Sequence, residues 1–272
     1  MLTEGAGAYT LCLDVGNTNT KVALYAGARP VATWRVATGA CRRAAHLALW
    51  LRALLEHRGF RPDQVRQVGV ASVVPPVDGE IVSACRSLFD LEPMFVSSAL
   101  ALPVSLAYEN PKALGADRIA NVAAAAVKYG VPAIVVDCGT ATKVEAISAD
   151  RVHLGGAIMP GRQISLDALR RRTSSLPRVP LTPLPVRIPQ DTAESLQLGA
   201  ALGLVGAVSR LVAEARRIVG AKARVVHAGG LAHLFRHLAD EGAVFDPNLT
   251  LDGVRAILAL NEGGGDRPSH FA

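Results

Sequence analysis

The sequence predicts an α/β protein built twice on one plan, with two domains and a cleft between them. Three observations predict this. LCLDVGNTNTKVALY (residues 11–25) and AIVVDCGTATKVEAI (133–147) are each an apolar strand ending in Asp-x-Gly, then small hydroxyl residues, then a second strand. After each of them, strand and helix patterns alternate, as in layered α/β folds. The order of elements nearly repeats from residue 10 and again from residue 133, with little identity between the halves, so the repeat is one of topology.

In chain order, Thr10 to Asp14 and Thr20 to Ala26 read as strands joined by a glycine turn, and Pro30 to Val36 as a third. Leu47, Leu51, Leu54 and Leu55 share one face of a helix from Arg42 to His57. A strand at Gln67 to Ser72, a helix at Val77 to Phe89 and a strand at Met94 to Val96 complete the first half. YENPK (108–112) carries an Asn-Pro turn signal and marks the seam. The expected domains are therefore 1–112 and 113–260, with a disordered tail at 261–272.

The second half opens with an alanine-rich helix from Asp117 to Tyr129, stopped by Gly130 and Pro132. Three meander strands follow (Ala133 to Asp137, Thr142 to Ile147, Arg151 to Ala157), then a helix from Gln163 to Arg172 and a proline-rich loop. Asp191 and Glu194 form a capping-box pattern ahead of a long helix whose face carries Leu204, Val208, Leu211, Ala215 and Ile218. Gly199, Gly203 and Gly206 on that helix would admit another backbone. A strand at Arg224 to His227, a helix at Gly229 to Leu238, a strand at Ala243 to Phe245 and a helix at Leu249 to Leu260 close the pattern.

Composition narrows the function. Net charge is +6, and aromatics are absent between Tyr129 and Phe235. Binding single-stranded nucleic acid wants stacking aromatics among the basic residues, so a nucleic-acid role is disfavoured. The arginines at 162, 170, 171, 172, 178 and 187 read as a solvated helix end and loop. Cys12, Cys41, Cys85 and Cys138 form no metal or redox spacing, which points to a reduced, cytoplasmic setting. The N-terminus lacks a signal-peptide pattern, and the most apolar stretch, Leu196 to Val208, falls short of the ~20 residues a membrane span needs.

The two Asp-x-Gly loops carry the chemistry. Gly16 lets backbone N–H groups approach a phosphate, Asn17, Thr18 and Thr20 add donors, and Lys21 adds a point charge. Asp14 would reach phosphate only through Mg²⁺ or water. A plain hairpin would explain Gly16 and Asn17, but not an aspartate, two threonines and a lysine on one loop. Gly139, Thr140 and Thr142 repeat the logic beside Asp137, whose burial at a strand end calls for a cation. No P-loop or dinucleotide fingerprint is present. In GADR (115–118), Asp117 is either a helix N-cap or a base, with Arg118 beside it suited to a carboxylate. The glycine pairs of LGGAIMPG and HAGGLA serve tight packing or a flat ligand. His233 and His237, four apart, lack the glutamate of a zinc-protease helix.

Taken as a set, DVGNTNTK, GADR, DCGTAT, GGAIMPG, DTAESLQLGAALG, HAGGLA and DPNLTLDG resemble the type III pantothenate kinases in content and order, from about Leu11 to Ile257. The resemblance implies a duplicated ribonuclease H-like (actin-like ATPase) fold and ATP-dependent phosphorylation of pantothenate, the first step of coenzyme A synthesis. It implies that Asp14, Val15, Gly16, Asn17, Thr18, Asn19, Thr20 and Lys21 hold ATP with Thr140, and that Asp14 lies near Mg²⁺. Asp117 would be the catalytic base, and Tyr108, Gly115, Ala116, Asp117, Arg118 and Thr192 would hold pantothenate. Asp137 would bind a monovalent cation, K⁺ or NH₄⁺, and the enzyme would be a homodimer. The chain departs from the family pattern at Cys138, Lys143 and Glu145. Lys143 either adds phosphate affinity or occupies part of the cation's space. Other readings of the same residues are a kinase for another hydroxylated acid or sugar, and a regulatory protein that has lost catalysis.

Overall fold

The computed structural model describes residues 8–181, 188–230 and 243–262. Two compact units emerge. The described residues of Met1–Val104, Glu109–Val127 and Thr250–Ala272 form the first, and those of Ser105–Tyr108 and Lys128–Leu249 form the second. The segments 113–127 and 250–260, expected with the C-terminal half, therefore belong to the first unit. The reason is close packing: a Cβ on Gly69, in the first unit's sheet, would overlap the Leu258 and Val254 side chains. A Cβ on Gly253 would lie 1.9 Å from the Ala120 carbonyl oxygen, so only glycine lets these two helices touch. The Thr250 hydroxyl also donates to Asn121 Oδ1 at 2.9 Å.

The first unit holds β1 (Tyr9–Val15), β2 (Asn19–Ala26), β3 (Arg29–Ala37), α1 (Ala44–His57), β4 (Val65–Ser72), α2 (Asp78–Phe89) and β5 (Met94–Phe95). Its sheet runs β3-β2-β1-β4-β5. β1 pairs antiparallel with β2 and parallel with β4. Leu47, Leu51 and Leu55 of α1 are buried with Leu11, Leu13 and Val70 in one core. α3 (Ala116–Lys128) and α6 (Leu249–Asn261) complete the unit, apart from their end residues Lys128 and Leu249. Tyr25 of β2, fully buried, donates to Asp252 Oδ1 of α6 at 2.6 Å, and burial with that carboxylate pushes the phenol far up.

The second unit repeats the plan. β6 (Ser105–Leu106), β7 (Ala133–Cys138), β8 (Ala141–Ile147), β9 (Val152–Pro160), β10 (Arg224–Ala228) and β11 (Val244–Phe245) form a sheet in the order β11-β10-β7-β8-β9-β6. Read from β9, this is the first sheet again, with β6 added beyond it. α4 (Arg162–Arg172) follows β9, and α5 (Thr192–Val219) packs Leu204, Val208, Val212 and Ala215 onto Ile134, Val136 and Val144. Asp191 caps α5 by accepting from the Glu194 N–H at 2.8 Å.

Three expectations change. Ile218 is 72% exposed rather than part of the buried face of α5. Arg162 is buried, not solvated, because it opens α4 and reaches the Gln197 carbonyl at 3.5 Å; that burial lowers its guanidinium below the usual arginine range. Arg170, Arg171, Arg172 and Arg178 are exposed as expected. Finally, α5 runs unbroken for 28 residues, so it is long and apolar enough by composition to cross a membrane, although one face lies in the unit's core. Most of the helix expected at Gly229 to Leu238, with His233, His237 and Arg187, falls outside the described residues, as do residues 263–272 of the expected tail.

Candidate active site

In the first unit, β1 carries Asp14 to the end of the sheet, and the β1–β2 register sets Lys21 directly opposite it. Lys21 Nζ lies 3.8 Å from Asp14 Oδ2, both side chains being about five-sixths buried (16% and 15% exposed). Gly16 closes the turn by donating to the Asn19 carbonyl at 3.1 Å, and Asn17, Thr18 and Asn19 form an exposed tip. Thr20 is placed differently. It is fully buried, its hydroxyl is 3.1 Å from that of Thr38, and Thr38 donates onward to the Gly16 carbonyl at 2.6 Å. Thr20 thus braces the loop from beneath.

The structure brings GADR to the same end of this unit. Val73 N–H donates to the Val15 carbonyl at 3.1 Å, and a Cβ on Gly115 would lie 3.6 Å from Val73 Cγ1. Val73 therefore bridges the first loop and GADR, a link that nothing in its apolar SVVPP context advertised. α3 starts at Ala116, so the residue before it is Gly115, and Asp117 sits inside the first turn instead of capping it. Its Oδ1 accepts from the Arg118 N–H at 2.8 Å, and a Cβ on Gly115 would come 2.8 Å from that oxygen. Arg118 is 6% exposed. Close by in sequence, Ser72 Oγ donates to Asp78 Oδ1 at 2.6 Å, and burial pushes the Asp78 carboxyl up.

In the second unit the hairpin recurs with one residue fewer in its loop, yet Lys143 again stands opposite Asp137. Its Nζ is 3.1 Å from Asp137 Oδ2. Thr140 is exposed at the tip, whereas Thr142 is fully buried and its hydroxyl has no partner among the described residues. Burial and the neighbouring Asp137 push the Cys138 thiol up to about 12, so it stays protonated at neutral pH. The glycine motifs frame this loop by backbone contact. A Cβ on Gly161 would lie 2.4 Å from the carbonyl oxygens of Gly139 and Thr140, and one on Gly229 would lie 2.5 Å from Asp137 Oδ1. Tyr108, half-buried, stacks on His153 with centroids 6.0 Å apart and planes 9° apart. His153 is fully buried with Nε2 2.7 Å from Glu145 Oε2, a pair that alternation in the sequence does not reveal. Thr192 opens α5 and is exposed.

A family model for the type III pantothenate kinases matches residues 10–214. The chain belongs to that family. A type III pantothenate kinase of Anaeromyxobacter dehalogenans is 40% identical over 251 residues, covering 92% of this chain and 99% of its own. One of Myxococcus xanthus is 38% identical over the same length, covering 92% and 98%. The enzyme is accordingly a phosphotransferase that phosphorylates pantothenate from ATP with a divalent metal, in coenzyme A biosynthesis. Among solved structures, a propionate kinase of Francisella tularensis superposes with a TM-score of 0.57 at 11% identity, over 93% of this chain and 99% of that one. Component A of the (R)-2-hydroxyglutaryl-CoA dehydratase of Acidaminococcus fermentans gives 0.53 at 16% identity, over 93% and 96%. These two speak to the fold alone, which is the duplicated ribonuclease H-like fold of actin-like ATPases.

Proposed function

We propose that the pantothenate kinase reaction is carried out by the residues that its two Asp-x-Gly hairpins and GADR present. In the first unit, the Gly16 turn and the exposed Asn17–Asn19 tip hold ATP phosphates, with Val15 and Thr20 as backing and Lys21 as the charged contact. Asp117 orients the pantothenate hydroxyl and takes its proton, and Arg118 with Gly115 and Ala116 holds the carboxylate end. In the second unit, Thr140 contacts the nucleotide and Tyr108 contacts pantothenate. The observation that carries this reading is that Val73 bonds to Val15 and lies beside Gly115, so the Gly16 turn and Asp117 share one end of one unit.

The donor set fits magnesium. One partly exposed carboxylate, Asp14, beside a loop shaped for phosphates is what Mg²⁺ takes when phosphate and water fill the rest of its shell. When bound, the ion would neutralise charge on the phosphates, and Asp14 would hold it directly or through water. Phosphoryl transfer passes through a loose transition state, so the chain's own task is positioning. No step is assigned to a monovalent cation, because Lys143 already faces Asp137.

Lys21→Ala should weaken ATP far more than pantothenate, because only the phosphates meet its charge. Titrating both ligands, with ADP release followed in a coupled assay, checks this. A selective loss of pantothenate would count against the phosphate role.

The reading includes a homodimer in which Thr192 meets pantothenate bound beside the partner. Supporting it, Gly199, Leu202, Gly203 and Gly206 make an exposed stripe at helical spacing on α5, and a Cβ on any of the three glycines would meet nothing within 4 Å. We assign this stripe to the second subunit rather than to a membrane or nucleic acid. Gly203→Trp should shift the protein to monomers in analytical ultracentrifugation, and an unchanged dimer would remove the stripe from the interface. The four free, buried cysteines suit a cytoplasmic enzyme.

A further inference from the structure

Every residue of β7 is buried, and its penultimate residue, Asp137, is a carboxylate. Leaving such a charge without a cation costs several kcal/mol, so something positive must accompany Asp137. The resemblance assigns that duty to a free potassium or ammonium ion. Here the β7–β8 register puts Lys143 across from Asp137, with its ammonium at hydrogen-bonding distance, 3.1 Å from Oδ2. Both side chains are largely out of solvent, at 16% and 12% exposure. The other oxygen, Oδ1, is crowded by Gly229, whose missing Cβ would lie 2.5 Å away. One oxygen thus meets an ammonium, and the other lies where any side chain at position 229 would press on it.

The first hairpin supplies an internal comparison. Asp14 and Lys21 occupy the same cross-strand relation, but at 3.8 Å, beyond hydrogen-bonding distance. A lysine therefore stands opposite an aspartate in both units. Only in the second unit has the pair closed to a hydrogen bond. An ammonium on a flexible four-carbon stem is a tethered counterpart of free NH₄⁺, with the same charge and three of its four N–H donors.

We infer that Lys143 is a built-in monovalent cation: it takes the place of the free ion at Asp137, and this kinase turns over without potassium or ammonium. The inference rests on the proposed role of the Asp137 loop in the kinase site. Its consequence is specific to this chain. A residue without charge at position 143 should reopen a site for a mobile ion.

The test compares the full-length enzyme with Lys143→Thr and Lys143→Gln, at constant ionic strength, in tetramethylammonium chloride and in potassium chloride. Wild-type turnover is expected to be the same in both salts. The variants are expected to lose ~10²-fold in tetramethylammonium, the effect of stripping a partner from a buried charge, and to regain most of it with potassium. A second readout needs no catalysis. Potassium should raise the thermal midpoint of the ligand-free variants, by binding the folded state only, and leave the wild-type midpoint unmoved. A potassium-responsive midpoint with an unresponsive turnover would uphold Lys143 as the ion's substitute and overturn the part of Asp137 in the reaction. Wild-type turnover that depends on potassium as steeply as a variant's would overturn the inference. So would variants that neither recover activity nor gain stability with potassium.

Discussion

Asp117→Asn is expected to lower turnover by ~10²-fold or more, the range of a positioned general base, while ATP affinity stays near wild type. Asparagine keeps the shape of the side chain and one acceptor oxygen, so the 2.8 Å bond from the Arg118 N–H can survive and the first turn of α3 stays formed. What is lost is the negative charge and the capacity to accept a proton. In a loose phosphoryl transfer the nucleophile need not be deprotonated early, so part of the loss would come from a hydroxyl no longer aimed in line with the γ-phosphate. Measuring kcat by coupled ADP release and ATP affinity by titration separates the two. A turnover number unaltered by the substitution would remove Asp117 from the reaction. A fall in ATP affinity matching the fall in turnover would make it a binding residue instead.

The repeat of topology was legible because an Asp-x-Gly hairpin leaves a strong local signature. The meander of the first three strands followed from it in both units, whereas the placing of the next two beside the first strand, which completes the order 3-2-1-4-5, is seen only in the structure. Unit membership was less accessible. α6 packs on the first sheet at Gly69 and Tyr25, and α3 joins it through a backbone contact at Gly253; a glycine inside a helix pattern does not announce which carbonyl it will meet. DPNLTLDG, recognised as a motif, turns out to work in packing: Asp246 accepts from Tyr129 Oη at 2.8 Å, Asp252 from Tyr25, and Gly253 meets Ala120.

In the candidate site, composition gave the participants but not their register. The loop of the first hairpin spans Gly16 to Asn19 and that of the second Gly139 to Ala141, so counting along the chain would have misaligned the two lysines. Pairing register, set by turn length, decides which side chains face each other, and a shift of one residue reverses every face. The same alternation explains the buried threonines. Thr20 and Thr142 each precede a lysine that faces its aspartate, so each points to the opposite face and into the core. Arg162 was misread because charge patterning takes an arginine for a solvated one, whereas this one begins a helix directly after the glycine pressed on the Thr140 loop.

The largest effect on stability is expected at His153. This side chain is fully buried, Glu145 is 2% exposed, and they meet at 2.7 Å. Removing one member of such a pair costs ~3–5 kcal/mol, a large part of the ~5–15 kcal/mol that keeps a domain folded. His153→Ala should therefore lower the urea midpoint sharply. Repacking offers little relief. A Cβ at Gly156 would already lie 2.0 Å from the Val144 carbonyl and 2.7 Å from Glu145 Oε2, so β8 and β9 cannot draw closer to fill the space. The effect on function should be smaller and selective. Tyr108 loses the ring it stacks on, an interaction worth ~0.5–1.5 kcal/mol, so KM for pantothenate should rise by ~10-fold at most while KM for ATP holds. His153→Gln, which retains a donor for Glu145 but no ring, separates the two roles: it should recover much of the stability and none of the pantothenate affinity. Wild-type stability in His153→Ala would show that the pair contributes little to the fold. A rise in KM for ATP equal to that for pantothenate would show that Tyr108 and His153 act on the site as a whole rather than on one substrate.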